Sequence, residues 1–136
     1  LDVRQSLSNS SSEDWHKSEP LRNAIKEAMR LHPVATAGSF RVIGEEMETP
    51  DGHYLLPKGS VIFLPLILLM RNPRVYQNPD AFQPTRWETP TQEMKDSFLP
   101  FSLGKQNCAG QALAKIELHS VVARICSEFD LSVVEE

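Results

Sequence analysis

The chain has 136 residues, of which 40% are hydrophobic and 24% are charged. This length corresponds to one ordinary domain or to a piece of a larger one, and the composition excludes a wholly disordered chain. The formal net charge is −4 and no long basic run is present, which argues against nucleic-acid binding. The two cysteines provide no disulfide framework, which is typical of proteins in a reducing compartment.

The beginning of the chain predicts a linker followed by a helix. Residues 1–17 are polar, include a serine-rich run, and indicate a mobile linker. Glu19–Leu31 is predicted as a helix with one apolar face, because apolar residues recur there at helical spacing. Ser18 can cap its start, Pro20 suits its first turn and Pro33 ends it.

The middle of the chain predicts a small antiparallel sheet and then an irregular segment. Phe40–Ile43 and Val61–Leu64 are β-branched or aromatic runs, and turn sequences lie between them. The apolar stretch Val61–Met70 is too short to span a bilayer and contains Pro65, so it is predicted to be a buried segment. Residues 71–90 are rich in proline and predict an irregular meander held by side-chain contacts.

The end of the chain carries the strongest periodic pattern. It predicts a long helix after Cys108 that continues to about Cys126. The apolar stripe is broad enough for a helix that is buried on most sides, and it includes Leu113, Ile116, Val121 and Ile125. Residues 129–134 predict a final strand.

Cys108 lies in the segment Phe101–Gly110, at the start of this helix. Unsatisfied backbone N–H groups and the positive end of the helix dipole favour the thiolate form, which binds metals or attacks electrophiles. Gly104 and Gly110 have no Cβ atom and permit positive φ, so a flat ligand can approach the backbone closely. The local chemistry therefore indicates an activated thiolate that faces a large ligand.

Four interpretations of Cys108 follow from its chemistry. A structural zinc site is disfavoured, because on a regular helix His119 and Cys126 lie roughly 16 and 27 Å further along the axis. A Cys–His nucleophile needs a histidine nearby in space, and three histidines stay open as partners: His16, His32 and His53. The remaining two interpretations are an axial ligand to haem iron and a buried, inert cysteine, which is the interpretation given to Cys126.

Three motifs, in their order along the chain, resemble those of the cytochrome P450 family, the haem-thiolate monooxygenases. Glu27 and Arg30, which alone indicate no more than a solvated ion pair on one helix face, match the Glu-x-x-Arg pair of that family. Arg86, in the sequence PTRW, matches its meander arginine. Phe101–Gly110 matches Phe-x-x-Gly-x-(Arg or His)-x-Cys-x-Gly. The resemblance covers essentially all of residues 18–134.

The resemblance implies a mainly α fold with small β-sheets (α+β), the C-terminal part of the cytochrome P450 fold. Residues 1–17 are then a polar linker, and residues 18–136 are the C-terminal haem-binding portion of a cytochrome P450 domain. The oxygen-activating helix of the family lies upstream of the Glu-x-x-Arg helix, and nothing in the chain matches it. No residue is therefore assigned a catalytic role, and the chain is expected to be inactive alone.

By the same resemblance the cofactor is heme b, with Cys108 as the axial ligand of its iron. The implied cofactor-binding residues are Arg41, Phe101, Gly104, Gln106, Cys108, Ala109 and Gly110. Gln106 departs from the family, which usually has Arg or His at this position. Because glutamine carries no charge, its contact with a haem propionate is expected to be weaker.

Two further groups of residues are implied by the resemblance. Glu27, Arg30 and Arg86 form a buried structural network that joins the meander to the core. The segment after the first helix borders the substrate pocket and consists of Val34, Ala35, Thr36, Ala37, Gly38 and Ser39.

The resemblance implies an enzyme, a cytochrome P450-type monooxygenase that inserts one oxygen atom from O₂ into an organic, apolar substrate. Its electrons come from a redox partner of the reductase or ferredoxin type, which docks on the cysteine side. The candidate contacts, whose alternative is ordinary solvation, are Lys105, Lys115, Arg71 and Arg74. A peroxide-rearranging or isomerase enzyme of the same fold, and a non-catalytic, truncated haem-binding remnant, are alternatives. Membrane association stays open, and the expected location is the cytoplasm or a membrane surface that faces the cytosol.

Overall fold

The computed structural model describes residues 3–8, 12–36 and 38–132. These residues form five α-helices: α1 (Val3–Ser8), α2 (Glu19–Leu31), α3 (Leu66–Met70), α4 (Gln92–Ser97) and α5 (Gln111–Glu128). They also form four short strands: β1 (Ser39–Val42), β2 (Met47–Glu48), β3 (Leu55–Leu56) and β4 (Val61–Leu64). Three short 3-10 helices complete the described elements: Ser12–Lys17, Pro84–Trp87 and Gly104–Gln106.

Helix α2 is the central element, and its predicted bounds are confirmed. The Ser18 hydroxyl accepts a hydrogen bond from the Leu21 amide at 3.4 Å, and Pro20 lies in the first turn. Leu21 and Ile25 are buried on the same face of the helix. The N-cap and the apolar spacing are local signals, which is why the sequence predicts this helix well.

The N-terminal residues pack against α2 and α5. The prediction of a mobile polar linker is wrong for its described residues, because they form α1 and a 3-10 helix. Leu7 is 2% exposed and packs with Leu21, Ile25 and Ala123 in one hydrophobic cluster. The apolar residues Val3 and Leu7 are four apart and share a helix face, a signal that the polar composition conceals. The domain boundary at residue 17 stays a prediction.

The strands form two separate antiparallel pairs, which confirms the predicted small sheets. β1 pairs with β4, and Phe40 lies opposite Phe63 with ring centroids 4.9 Å apart. β2 pairs with β3 across a turn. The prediction of a buried Val61–Met70 segment is wrong in part, because Val61 and Leu68 are 64% and 65% exposed. Within α3 the buried residues are Leu66 and Met70, which are four residues apart, so only one face of this helix packs inward.

The predicted meander is irregular apart from the 3-10 helix Pro84–Trp87. Its buried side chains form a second hydrophobic cluster, which contains Tyr76, Trp87 and Met94. The hydroxyl of Tyr76 donates a hydrogen bond to the Met94 carbonyl at 2.9 Å, and this bond joins the meander to α4. The meander is thus held by side-chain contacts, as the sequence predicts.

Helix α5 has the expected extent but not the expected burial. Ala123 is its one buried residue in the described structure, whereas Leu113, Ile116 and Val121 are 61%, 64% and 56% exposed. The expectation of a helix buried on most sides is therefore wrong for the described residues, because their packing partners contact only one side of α5. Phe129 to Ser132 form no strand, and the last two residues of the predicted strand lie outside the described part of the chain.

None of the helices within residues 3–8, 12–36 and 38–132 combines the length and the hydrophobicity needed to cross a membrane.

Candidate functional site

Glu27 is the centre of a buried hydrogen-bond network between α2 and the meander. Both Glu27 and Arg30 are 0% exposed. Arg30 donates to the two carboxylate oxygens of Glu27 at 3.0 and 2.9 Å. Arg86 Nε donates to Oε1 at 2.9 Å, and Trp87 Nε1 donates to Oε2 at 2.9 Å. The backbone amide of Gln83 donates to Oε1 at 3.1 Å, so the carboxylate accepts five hydrogen bonds.

The two arginines of this network also bind backbone carbonyl groups at the end of α3 and in the meander. Arg30 Nη1 donates to the carbonyls of Met70 and Pro79 at 2.9 and 2.6 Å. Arg86 Nη1 donates to the Gln77 carbonyl at 2.9 Å. The Arg30 guanidinium also lies 5.0 Å from the centre of the Tyr76 ring. The meander, which has no β-strand among its described residues, is thereby fixed through its backbone carbonyl groups.

The network keeps Glu27 ionised inside the protein. Burial alone would raise its pKa, but hydrogen bonds from Arg30, the Gln83 amide and Arg86, together with the charge of Arg30, outweigh burial and lower the pKa. Tyr76 shows the opposite result. Burial raises the pKa of its hydroxyl to about 12, although the positive charge of Arg30 lowers this pKa, and the negative charge of Glu27 adds a smaller rise.

The structure brings together the three residues that the sequence assigns to this network, Glu27, Arg30 and Arg86. The alternative of a solvated ion pair is wrong, because neither Glu27 nor Arg30 is exposed. Sequence reasoning missed Trp87 and the Gln83 amide as donors to Glu27. A buried indole N–H needs an acceptor, so the position of Trp87 next to Arg86 was the available signal.

The cysteine loop, Phe101–Gly110, carries an exposed thiol just before α5. The amide of Cys108 donates to the Phe101 carbonyl at 2.9 Å, which closes the loop on itself. Gly104 turns the loop with φ at +77°, a conformation that side-chain-bearing residues rarely adopt. Cys108 and Ala109 are exposed, and the side chain of Gln106 lies outside the described part of the structure.

Gly110 does not use the positive φ that glycine permits, because its φ is −84°. A Cβ atom at this position would lie 3.8 Å from the Cys108 sulfur, which is an ordinary contact distance. The backbone at Gly110 is therefore close to the sulfur without being strained.

Arg41 connects β1 to the cysteine loop. Its Nη2 atom donates to the Ser102 hydroxyl at 3.4 Å, and its Nη1 atom binds Ser39 and the Phe40 carbonyl. On the other side of the loop, Lys115 Nζ lies 5.7 Å from the centre of the Phe101 ring. Two cationic side chains thus contact the loop that presents the thiol.

The residues predicted to border a substrate pocket lie between α2 and β1, except Ser39, which is the first residue of β1. Val34, Ala35 and Thr36 are exposed, whereas Ala37 lies outside the described residues. Gly38 has φ at +98°, and a Cβ atom there would lie 2.1 Å from the Leu64 carbonyl oxygen. Gly38 therefore has a structural reason to lack a side chain, which the sequence does not reveal.

The four basic residues proposed as partner contacts differ in their surroundings. Arg71 donates to the Leu31 carbonyl at 2.7 Å and pairs with Asp80 at 2.9 Å, so it stabilises the fold. Arg74, Lys105 and Lys115 are exposed. These three residues keep their role as candidate contacts.

The described residues argue against three of the interpretations of Cys108: a zinc site, a Cys–His nucleophile and a buried, inert cysteine. Nowhere among them do three His, Cys, Asp or Glu side chains come together to hold a metal ion. His16 and His119 line a cavity of about 510 Å³ that Cys108 does not line. The exposed position of Cys108 contradicts a buried, inert cysteine, whereas Cys126 packs against the first hydrophobic cluster.

Comparison with known proteins identifies the class of this chain. The profile of the Cytochrome P450 family matches residues 3–136, and the chain belongs to the cytochrome P450 family. It is 36% identical to cytochrome P450 4A10 of Mus musculus over 96% of this chain and 26% of that protein. It is 39% identical to cytochrome P450 4A12 of Rattus norvegicus over 88% of this chain and 23% of that protein.

A third relative, the cytochrome P450 monooxygenase orf2 of Aspergillus niger, is 37% identical over 72% of this chain and 20% of that protein. The chain spans about a quarter of the length of the curated relatives it matches. Both the predicted family and the predicted α+β fold are confirmed.

Membership of this family implies a haem-iron cofactor. The residues of the cysteine loop fit such a group. A single soft sulfur atom is exposed on the loop, Leu103 of the same loop is 71% exposed, and the Arg41 guanidinium contacts the loop through Ser102. A sulfur, an apolar surface and a cation are what iron, a porphyrin face and a propionate require.

Proposed function

We propose that the chain is the C-terminal, haem-binding portion of a cytochrome P450-type monooxygenase. The enzyme is an oxidoreductase that inserts one atom of O₂ into an organic, apolar substrate. The observation that supports this proposal best is the exposed Cys108 thiol on a glycine-turned loop, in a chain that also contains the buried Glu27–Arg30–Arg86 network. An exposed thiol with no metal-binding neighbours among the described residues suits a ligand that arrives as a preformed cofactor.

Cys108 would be the axial thiolate ligand of heme b, and Phe101 would cover its sulfur. Arg41 would leave Ser102 or share it in order to bind a propionate, since its guanidinium already contacts the loop. Gly104 would keep the loop in its turn, and the small side of the loop at Ala109 and Gly110 would leave room for the porphyrin. When bound, the haem supplies O₂ activation. The role of this chain is to hold and orient it.

The redox partner would be of the reductase or ferredoxin type and would dock on the cysteine side. Lys105, Lys115 and Arg74 are exposed there or on the adjoining meander, and they would contact acidic groups of the partner. The location would be the cytoplasm or a membrane surface that faces the cytosol. The exposed residues Val34, Ala35 and Thr36 would border the substrate pocket once the remainder of the domain covers them.

A second candidate is a non-catalytic haem-binding remnant, because the described residues already hold both the exposed thiol and the buried network. For this candidate the chain alone binds haem but transforms no substrate. The monooxygenase proposal agrees that the isolated chain is inactive, and it differs in requiring activity of the complete protein with a reductase.

The deciding experiment is the absorption spectrum of the reduced carbon monoxide complex of the complete protein. We expect a thiolate-type spectrum in the wild type and in Cys126→Ser, and its loss in Cys108→Ser. A thiolate-type spectrum that survives in Cys108→Ser contradicts the assignment of the ligand. Oxygen insertion that depends on an added reductase then separates a monooxygenase from a peroxide-rearranging enzyme and from a remnant.

Gln106 provides a finer test of the same proposal. Gln106→Arg restores the charge that the family usually has at this position, so the variant should retain haem at least as tightly as the wild type. Transfer of haem to an acceptor protein measures this retention. Faster loss of haem from Gln106→Arg than from the wild type would refute the role of residue 106.

A further inference from the structure

Trp87 belongs to the buried network through its bond to Glu27, and its ring also contacts Phe98 after α4. It is 5% exposed and lies at the end of the 3-10 helix Pro84–Trp87. Its Nε1 atom donates to Glu27 Oε2 at 2.9 Å, and the carboxylate is itself held by Arg30 and Arg86. Because a buried indole N–H needs an acceptor, this bond fixes the direction of the indole ring.

The other side of the indole ring contacts Phe98. The two ring centroids are 4.7 Å apart with an interplanar angle of 57°, which is a favourable aromatic arrangement. Phe98 follows directly on α4, a helix that Thr91 caps through the Met94 amide at 3.2 Å. The bond from the Tyr76 hydroxyl to the Met94 carbonyl holds the same helix from the meander. Phe98 is therefore placed by α4 and by Trp87 together.

Phe98 lies shortly before the cysteine loop, and two backbone bonds continue the connection. The Ser102 amide donates to the Leu99 carbonyl at 3.1 Å, and the Cys108 amide donates to the Phe101 carbonyl at 2.9 Å. Phe98 therefore lies three residues before Phe101, whose carbonyl accepts the hydrogen bond from the Cys108 amide.

We propose that Trp87 is a positioning residue that transmits the fixed position of the Glu27 carboxylate, through Phe98, to the loop that carries Cys108. This inference rests on the proposed function in one respect, namely that the loop holds haem. It assigns to Trp87 a role that the ion pairs of the network do not have, because Arg30 and Arg86 bind the backbone of the meander at Pro79 and Gln77. The geometry of the thiol then depends on the indole ring as well as on the buried charges.

Two substitutions separate the hydrogen bond from the ring contact. Trp87→Phe removes the N–H donor and keeps a ring against Phe98, whereas Trp87→Leu removes both. Trp15→Phe is the matched control, because the chain has two tryptophans and Trp15 packs on the first hydrophobic cluster instead. All variants are made in the complete protein, and far-UV circular dichroism verifies that they fold.

The first measurement needs no haem and follows hydrogen exchange of the Cys108 amide. We expect exchange at least about tenfold faster in Trp87→Phe, the lower limit for one lost hydrogen bond to a charged group, and faster still in Trp87→Leu. Trp15→Phe should exchange as the wild type does. If Trp87→Leu does not fold, Trp87→Phe alone decides. Wild-type exchange in folded Trp87→Phe, or equal acceleration in Trp15→Phe, overturns the proposal.

The second measurement is the share of thiolate-type absorption in the reduced carbon monoxide complex of the haem-loaded protein. This share should fall in the order wild type, Trp87→Phe, Trp87→Leu, with Trp15→Phe equal to the wild type. Equal shares in all four proteins contradict the transmission to the thiol. A wild type without thiolate-type absorption refutes the proposed function, whereas the exchange of the Cys108 amide still decides whether Trp87 positions the loop.

Discussion

Two regions of the molecule differ in burial. The contact between α2 and the meander is buried, whereas the cysteine loop and α5 are largely exposed. In the first region Glu27 and Arg30 are 0% exposed, and the carboxylate accepts five hydrogen bonds from described residues. In the second region Cys108 is exposed, and Leu113 and Ile116 on α5 are 61% and 64% exposed. The chain therefore completes its buried charge network by itself, while its thiol and its apolar helix face solvent.

This difference in burial distinguishes a network that the described residues complete by themselves from a surface that another group can cover. A buried carboxylate is tolerated only where donors satisfy it, and the two arginines, the indole and the amide do so here. Apolar side chains and a thiol at a surface, in contrast, are typical of a place where another group binds. The network stabilises the scaffold, and the exposed thiol is available for the ligand role proposed above.

The largest expected effect is that of Glu27→Ala. Its removal leaves Arg30 and Arg86 buried without a counter-charge, so we expect a loss of about 3–5 kcal/mol of unfolding free energy. In the complete protein we expect no haem incorporation. Urea unfolding measures the first effect and the haem absorbance of purified protein measures the second.

Two control variants accompany this test. Glu27→Gln keeps the volume of the side chain and removes its charge, so a loss of similar size assigns the effect to charge. Glu117→Ala removes an exposed carboxylate from α5 and should change stability by less than about 0.5 kcal/mol. Normal haem content in Glu27→Ala would exclude the network as a requirement for haem binding.

Substitution of one leucine in each region compares their contributions to the unfolding free energy directly. Leu21→Ala empties a fully buried position on α2 and should cost about 2–4 kcal/mol. Leu113→Ala removes a side chain that is 61% exposed and should cost less than about 0.5 kcal/mol in this chain. Equal losses in urea unfolding would contradict the difference in burial between α2 and α5.

Gly38→Ala tests whether the segment before β1 is fixed by packing. Its Cβ atom would lie 2.1 Å from the Leu64 carbonyl oxygen, so we expect a loss of about 1–3 kcal/mol. Gly52→Ala is the matched control, because Gly52 also has positive φ, at +70°, but a Cβ atom there has no neighbour within 4 Å. Thermal unfolding of both variants separates the close contact from the backbone conformation. A Gly52→Ala variant as unstable as Gly38→Ala would show that the close contact is not responsible.

The smallest expected effect is the pH dependence that Glu27 contributes. Its pKa in the folded chain is lowered from the usual value of 4.5, so below that pH the unfolded chain binds a proton that the folded chain does not. The stabilisation is therefore present above about pH 4.5 and is lost as the pH falls, by at most about 1.4 kcal/mol per pH unit. We expect the difference in unfolding free energy between the wild type and Glu27→Gln to shrink as the pH falls below about 4.5. A constant difference would contradict the lowered pKa.

Local signals explain what the sequence predicts correctly. The bounds of α2 follow from Ser18, Pro20 and the apolar spacing, all of which lie within the segment itself. The pairing of β1 with β4 follows from two β-branched or aromatic runs separated by turn residues. The loop motif around Cys108 is likewise a contiguous stretch of sequence, which is why the family is recognisable from the chain alone.

Contacts between distant residues explain what the sequence misses. Trp87 and Glu27 are 60 residues apart, and no local pattern indicates that one donates to the other. The reason for glycine at position 38 is the carbonyl of Leu64, which only the folded chain brings close. The exposure of α5 was mispredicted for the same reason, since an apolar stripe shows which face seeks burial but not what covers it.

Hydrogen exchange of this chain, measured without and with added haem, tests the contrast between the two regions most directly. Without haem, amides of α2 and of the 3-10 helix Pro84–Trp87 should exchange at least about a hundredfold more slowly than those of residues 103–110. Added haem should slow exchange in the cysteine loop and leave α2 unchanged. Equal exchange in both regions without haem, or a loop that does not respond to haem, would contradict the division between a complete network and an open ligand loop.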